Sequence, residues 1–230
     1  MTPSAPSSQA SNAPVRGSAF TQVYRVGEQG AIFDQPLNDL HLKIHEVIGE
    51  LPELKASPPA TYFQSLVSSI ESQQLSTKVA DTSFSRVEAL VGSEFSPQAV
   101  LQISDDQLRE QGLSWSKVSY VKNIAESFQN KLIIPEEIEQ LSDQEVIAKL
   151  TKIKGVGQWT AEMFLIFTLA RPDVFPVGDY GLRSAISKHY KLPKKAPKQA
   201  FLELSAGWAP HRSLASRILW KSLELPDAAE

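Results

Sequence analysis

The chain has 230 residues, is 42% hydrophobic and contains no cysteine; it has the length and apolar content for one large or two small domains, and disulfides, thiolate zinc sites, iron–sulfur clusters and thiol catalysis are excluded. No apolar run approaches the length of a membrane span. The net charge of −3 hides an asymmetry: residues 1–150 hold 11 basic and 19 acidic side chains, and residues 151–230 hold 12 basic and 7 acidic. A basic second half attracts phosphate, although a solvated basic face is the commoner cause of such a bias.

Residues 1–34 are expected to form a disordered or extended segment, because "MTPSAPSSQASNAPVRGSA" is rich in Ser, Ala and Pro. The segment lacks the apolar stretch of a secretory signal. A transit peptide fits the absence of acids before Glu28, but only Arg16 and Arg25 supply charge and no amphipathic stripe is present.

From residue 35 to 225 the pattern predicts helix after helix. Leu37, Leu40, Ile44, Val47, Ile48 and Leu51 form one apolar stripe, and Phe63, Leu66, Val67 and Ile70 the next. Leu75, Val79, Phe84, Val87 and Leu90 form a third. Ser104 opens a short helix that Gly112 closes, and Ser142 with Glu145 makes a capping box before Val146 and Leu150. Val118, Val121, Ile124, Ala125 and Phe128 lie between them at helical spacing. A long helix is predicted over 158–170, followed by helices over 179–190, 197–206 and 213–223, with 226–230 as a tail. No alternating strand pattern is present. The expected class is all-α, a compact two-lobed helical bundle with a helix-hairpin-helix at 150–170. His41 and His45 stand four apart on the first helix, but no HExxH pattern accompanies them.

"KIKGVGQWTAEMFLIF", residues 152–167, places two glycines one residue apart at the entrance of an apolar helix. Gly155 and Gly157 can let a sugar–phosphate backbone come close, the first-turn N–H groups favour an anion, and Lys152 and Lys154 add charge. Such a contact positions nucleic acid without reading its bases. By itself, the pattern fits an ordinary glycine-rich turn between helices equally well.

The surrounding motifs distinguish these readings. "SQQLS" at 72–76, "GLSWSKVSYVKNIA" at 112–125, "LTKIKGVGQWTAEMFLIF" at 150–167, "VFPVGDYGLR" at 174–183 and "WAPHRSLASRILW" at 208–220 occur in one order. In these motifs the chain resembles the helix-hairpin-helix DNA glycosylases, in particular the AlkA-type 3-methyladenine glycosylases, from about residue 37 to 222. The extra N-terminal β-domain of some AlkA-type members is not expected here, because residues 1–36 are too few.

The resemblance assigns a residue to each step of base excision. The hairpin grips DNA through Lys154, Gly155, Gly157 and Thr160. The backbone carbonyls of Thr151, Ile153 and Val156 are expected to hold a structural Na+ or K+ that bridges to a phosphate, with no catalytic cofactor. Ser116 and Lys117 are second phosphate candidates, or simply a solvated helix start. Gln74, flanked by Gln73 and Leu75, is the candidate for filling the hole left by an extruded base; Ser72 stands where the family often has Gly. Trp220 matches the stacking tryptophan, and Trp159, Tyr180, Phe63 and Tyr62 are expected to line the base pocket with it. Cation–π attraction suits an alkylated purine, while core packing is the common fate of any single ring. Asp179 matches the catalytic aspartate, which would stabilise an oxocarbenium-like sugar; an Asp at a helix start is also an ordinary N-cap.

Bifunctional members carry a nucleophilic lysine two residues after the second hairpin glycine, where this chain has Trp159. No Schiff base, and hence no strand cleavage, is expected. The resemblance therefore implies an intracellular monofunctional glycosylase acting alone on double-stranded DNA with alkylated bases, in a bacterial cytoplasm or a nucleus, with no membrane partner. The alternatives are a non-catalytic module on the same scaffold that recognises damaged or bent DNA, and a helical protein–protein scaffold.

Overall fold

The structure, a computed structural model, describes residues 33–73 and 77–226, with backbone alone for 77–81. Among the described residues all regular structure is helical: α1 (Gln35–Val47), α2 (Tyr62–Ser72), α3 (Thr77–Val91), α4 (Pro97–Gln102), α5 (Asp105–Glu110), α6 (Trp115–Gln129), α7 (Pro135–Ile138), α8 (Asp143–Leu150), α9 (Gln158–Met163), α10 (Tyr180–Tyr190), α11 (Lys198–Ala206) and α12 (Arg212–Ser222). The all-α expectation holds.

Short polar side chains start half of these helices. Ser104 and Ser142 head full capping boxes with Gln107 and Glu145, and Asp34, Ser96 and Ser114 each accept a first-turn N–H. Gly112, at φ +104°, takes the left-handed conformation after α5 that only glycine adopts cheaply.

The buried side chains form two cores. The first gathers α2 through α9 around residues such as Leu66, Ile70, Val121, Ile124, Leu150 and Phe164. The second brings α1 together with α10, α11 and α12, around Leu37, Ile44, Leu182, Ile186, Phe201 and Leu219. The first helix thus completes the lobe built by the last three. Asp34 ties that closure, accepting from Tyr190 Oη at 2.6 Å and Trp208 Nε1 at 3.1 Å. Trp220 packs against both cores and marks the seam between the lobes.

The loop that crosses the seam is held firmly. Arg212 donates from Nε and Nη2 to the two oxygens of Asp173, each at 2.7 Å. Ser213 Oγ donates to Arg171 O at 2.6 Å and accepts from Val174 N at 3.0 Å. These bonds fix the start of α12, and with it the direction in which the helix carries Trp220.

Two expected stripes and one expected helix differ from the structure. α1 ends at Val47, so Val47 and Ile48 are exposed and only Leu37, Leu40 and Ile44 are buried. In the third stripe Val87 is buried and Phe84 and Leu90 are half-buried, while the side chains of Leu75 and Val79 lie outside the described residues. The helix expected over 158–170 is α-helical only to Met163. Phe164–Thr168 then widen into a π-helical turn, closed by Leu169 N to Phe164 O at 3.0 Å, and Ala170 stands at φ +51°. The extra residue in that turn swings Phe167 out of the stripe into solvent, at 45% exposure.

Candidate active site

Asp179 sits at the seam as the N-cap of α10. Its Oδ1 accepts from Leu182 N at 2.6 Å and from Trp220 Nε1 at 2.8 Å, and its Oδ2 accepts from Trp159 Nε1 at 2.7 Å. A carboxylate offers about four lone-pair sites. Three are engaged here by fixed N–H groups, and the one left over is on Oδ2. The N-cap and the aromatic partnership therefore coexist in one side chain, and the carboxylate is held from both lobes.

Gly181 makes this possible. A Cβ there would stand 3.3 Å from Asp179 Oδ1, a tight approach to the carboxylate, and 3.5 Å from Trp220 Cδ1, an ordinary contact, so a side chain would press on the Asp179 carboxylate itself. The sequence carried a sign of this: a glycine inside a helix costs about 1 kcal/mol relative to alanine and calls for a packing reason.

Trp220 stacks on Phe167, with ring centroids 6.0 Å apart and planes at 29°. Phe167, which falls in the helix predicted over 158–170, joins the site because the π turn exposes it. Phe167 and Thr168 face Ser57, Gln64, Ser65 and Ser68 across a cleft of about 350 Å³. Gln64 there donates to Glu88 at 2.6 Å. Glu162, one helical turn beyond Gln158, was also missed. It accepts from Gln158 Nε2 at 2.8 Å, and burial pushes its pKa up, opposed by Gln158 and Lys198 and reinforced by the charge of Asp179.

Other expected pocket residues lie elsewhere. Tyr62 is fully buried; it donates to Glu139 Oε1 at 2.8 Å and meets Phe164 edge-on at 5.3 Å. Burial and that hydrogen bond raise its pKa. Phe63 packs between Phe95 and Phe128. Both are core residues of the first lobe, because the stripe of α2 that carries them faces α6 and the π turn. Tyr180 is 74% exposed, with Lys194 Nζ 5.3 Å from its ring centre, and packs in neither core.

The hairpin is α8, a turn over 151–157, and α9. Its two glycines have different reasons. Gly155 has φ +104°, and a Cβ there would fall 2.2 Å from Tyr120 Cγ, so the packing of Tyr120 by itself requires a glycine here. Gly157 caps α9 through its backbone and has nothing within 4 Å of a Cβ position. No side-chain cap bonds the first turn of α9, and the space beside Gly157 is open. Lys152 and Lys154 are exposed beside it.

Thr160 is 1% exposed, and its hydroxyl accepts from Gln73 Nε2 at 3.0 Å, which leaves Gln73 half-buried against α9. Lys117 donates from Nζ to the Glu71 carbonyl at 2.6 Å; its ammonium closes the end of α2, and burial lowers its pKa. Ser116 is exposed, next to a Trp115 that is 59% exposed and lies 5.1 Å from the Arg109 guanidinium. Gln74 and Leu75 lie outside the described residues.

The turn 151–156 closes through Val156 N to Ile153 O at 3.0 Å. Ile153 and Val156 bury their side chains. Among the described residues no cluster of His, Asp or Glu offers a metal site.

A profile of HhH-GPD superfamily base excision DNA repair proteins matches residues 67–210. DNA-3-methyladenine glycosylase 1 of Schizosaccharomyces pombe is 38% identical over 168 residues, 72% of this chain and 74% of that protein. The solved structure of the S. pombe 3-methyladenine DNA glycosylase Mag1 in complex with abasic DNA superposes with a TM-score of 0.72 at 33% identity, covering 82% of this chain and 93% of that one. A DNA-3-methyladenine glycosidase from Bacillus halodurans gives a TM-score of 0.68 at 38% identity, over 83% and 85% of the two chains. The chain belongs to the HhH-GPD superfamily of base excision DNA repair proteins and is a DNA glycosylase.

Proposed function

We propose that this glycosylase is monofunctional, acts as a single copy on double-stranded DNA and removes alkylated purines of the 3-methyladenine and 7-methylguanine type. The observation that carries the reading is the Asp179 carboxylate, bonded by the indoles of Trp159 and Trp220, with Phe167 stacked on the latter. An extruded base with positive charge is attracted to aromatic faces. Cleavage of the glycosidic bond sends its electron pair to the base, which leaves neutral and needs no proton. The sugar becomes cationic, and the Asp179 charge stabilises it. Water adds at the sugar carbon and loses a proton, for which the uncommitted lone pair on Oδ2 is an acceptor. The product is an abasic site.

Gly157, Lys154 and Ser116 are the proposed backbone contacts, with Na+ or K+ on the carbonyls of Thr151, Ile153 and Val156 adding positive charge beside a phosphate. The position two residues after Gly157 is Trp159, whose nitrogen is already committed to Asp179 and carries no nucleophilic amine. The test is release of free methylated base from dimethyl-sulfate-treated duplex DNA, with sodium borohydride present in a parallel arm. Free base, intact strands and no trapped adduct are expected. A protein–DNA adduct refutes the monofunctional assignment, and absence of base release refutes the substrate class.

A further inference from the structure

Two consecutive residues of α9 bond to opposite sides of the site. Trp159 donates to Asp179, at the head of α10 in the second lobe. Thr160, the next residue along α9, turns about 100° around the helix and meets Gln73 at the end of α2 in the first lobe. The Gln73 amide spans Thr160 Oγ1 at 3.0 Å and the Gly155 carbonyl at 3.5 Å, so it touches both the turn and the second helix of the hairpin. The α2 end that carries it is itself fixed: Gln73 N donates to Ile70 O at 3.3 Å, and Lys117 holds the Glu71 carbonyl. Thr160 is buried and bonded away from solvent.

We propose that Gln73 is a positioning residue of the glycosylase site: its side-chain amide locks the first turn of α9 to α2, and the lock sets where the Trp159 indole meets Asp179. The inference rests on Asp179 being the catalytic group. The chemistry of the lock explains its reach. A hydrogen bond to a buried hydroxyl fixes the rotation of α9, and Trp159 is one residue away on that helix. Rotation of the helix moves the indole nitrogen off Oδ2, which loosens the carboxylate that must face the sugar. Reaction geometry is sensitive at this scale, with a displacement of about 1 Å costing on the order of 100-fold in rate. The phosphate-facing surface at Gly157 is unaffected.

The test compares wild type with Gln73→Met, Thr160→Val, the double variant and Thr160→Ser. Two readouts are used. The first is hydrogen exchange of the Trp159 indole N–H in two-dimensional NMR, assigned with Trp159→Phe, which reports the bond to Asp179 whether or not any lesion is processed. Exchange should be faster by about tenfold in Gln73→Met and Thr160→Val, the scale of one lost hydrogen bond, and near wild type in Thr160→Ser. The second is single-turnover excision of 7-methylguanine alongside affinity for abasic duplex. The rate should fall about tenfold or more with unchanged affinity, and the double variant should be no worse than either single one. Unchanged indole exchange in Gln73→Met overturns the proposal, as do additive losses in the double variant or a loss confined to affinity. Failure of wild type to release any alkylpurine refutes the substrate class alone, because the exchange readout still tests the lock. If Gln73→Met does not fold, the pair Thr160→Val and Thr160→Ser carries the same comparison.

Discussion

Asp179→Asn tests the chemistry of the site, and the structure makes its effect composite. The natural orientation of the new amide keeps its oxygen at the Oδ1 position, where it still accepts from Leu182 N and Trp220 Nε1. Asn caps helices as well as Asp, so α10 should remain intact. The amide nitrogen then takes the place of Oδ2, 2.7 Å from the Trp159 nitrogen. Two N–H donors cannot share that distance, and the indole must withdraw. The first cost is a lost charge-assisted hydrogen bond, about 1.5–3 kcal/mol at most because the site is half-exposed. The second is loss of negative charge beside the sugar cation, about 3–4 kcal/mol, or a factor of ~10²–10³ in rate. Single-turnover excision measures the rate, with thermal denaturation and DNA affinity as controls. Labile bases such as 3-methyladenine should suffer less than more stable ones, because their bond is already weak. Asp179→Asn combined with Trp159→Phe removes the opposing donor, and should recover the lost stability without recovering the rate. Recovery of the rate in that double variant, or full activity in folded Asp179→Asn, would mean that Asp179 only caps α10 and holds rings.

The two hairpin glycines should separate by experiment. Gly155→Val should destabilise the fold by several kcal/mol, since its side chain meets Tyr120 at an unfavourable φ, whereas Gly157→Val should leave the melting temperature nearly unchanged and weaken binding to damaged and undamaged duplex alike. Gly181→Ala should reduce excision several-fold with little change in stability, because the new methyl presses on Asp179 Oδ1 while the helix gains a better helix former; a normal rate would show that the carboxylate has room to spare. Glu71 is buried and its pKa is pushed up to about 7, chiefly by burial, with Lys117 pulling it down. A pKa raised from the ordinary glutamate value of 4.5 means that the native state binds the proton more tightly, so stability falls as pH rises from about 4.5 to 7. Glu71→Gln should therefore stabilise the protein by about 3 kcal/mol above pH 7 and flatten that slope, measured by urea denaturation across pH; an unchanged slope refutes the assignment.

Much of the architecture is legible in local sequence, because helix starts and stops are local chemistry. Ser104, Ser142 and Gly112 do what their neighbours within four residues dictate, and the buried stripe of α2 follows from spacing alone. Asp179 and the tryptophans at 159 and 220 also stand out, through the motifs that carry them. What the sequence could not decide is which way a side chain faces once two helices share a seam. Tyr62 and Phe63 have the residue type of a pocket and the location of a core. Lys117 has the charge of a phosphate contact and spends it on a carbonyl 46 positions earlier in the chain. Gln73 and Thr160, 87 positions apart, satisfy each other. Phe167 lies in the apolar helix predicted over 158–170, but a five-residue π turn exposes it. The physical reason is one of range. Caps and periodicity are settled by torsion angles and bonds within a helical turn, whereas the assignment of a polar or aromatic group to solvent, core or partner depends on which distant atoms compete for it, and only the packed chain brings those atoms together.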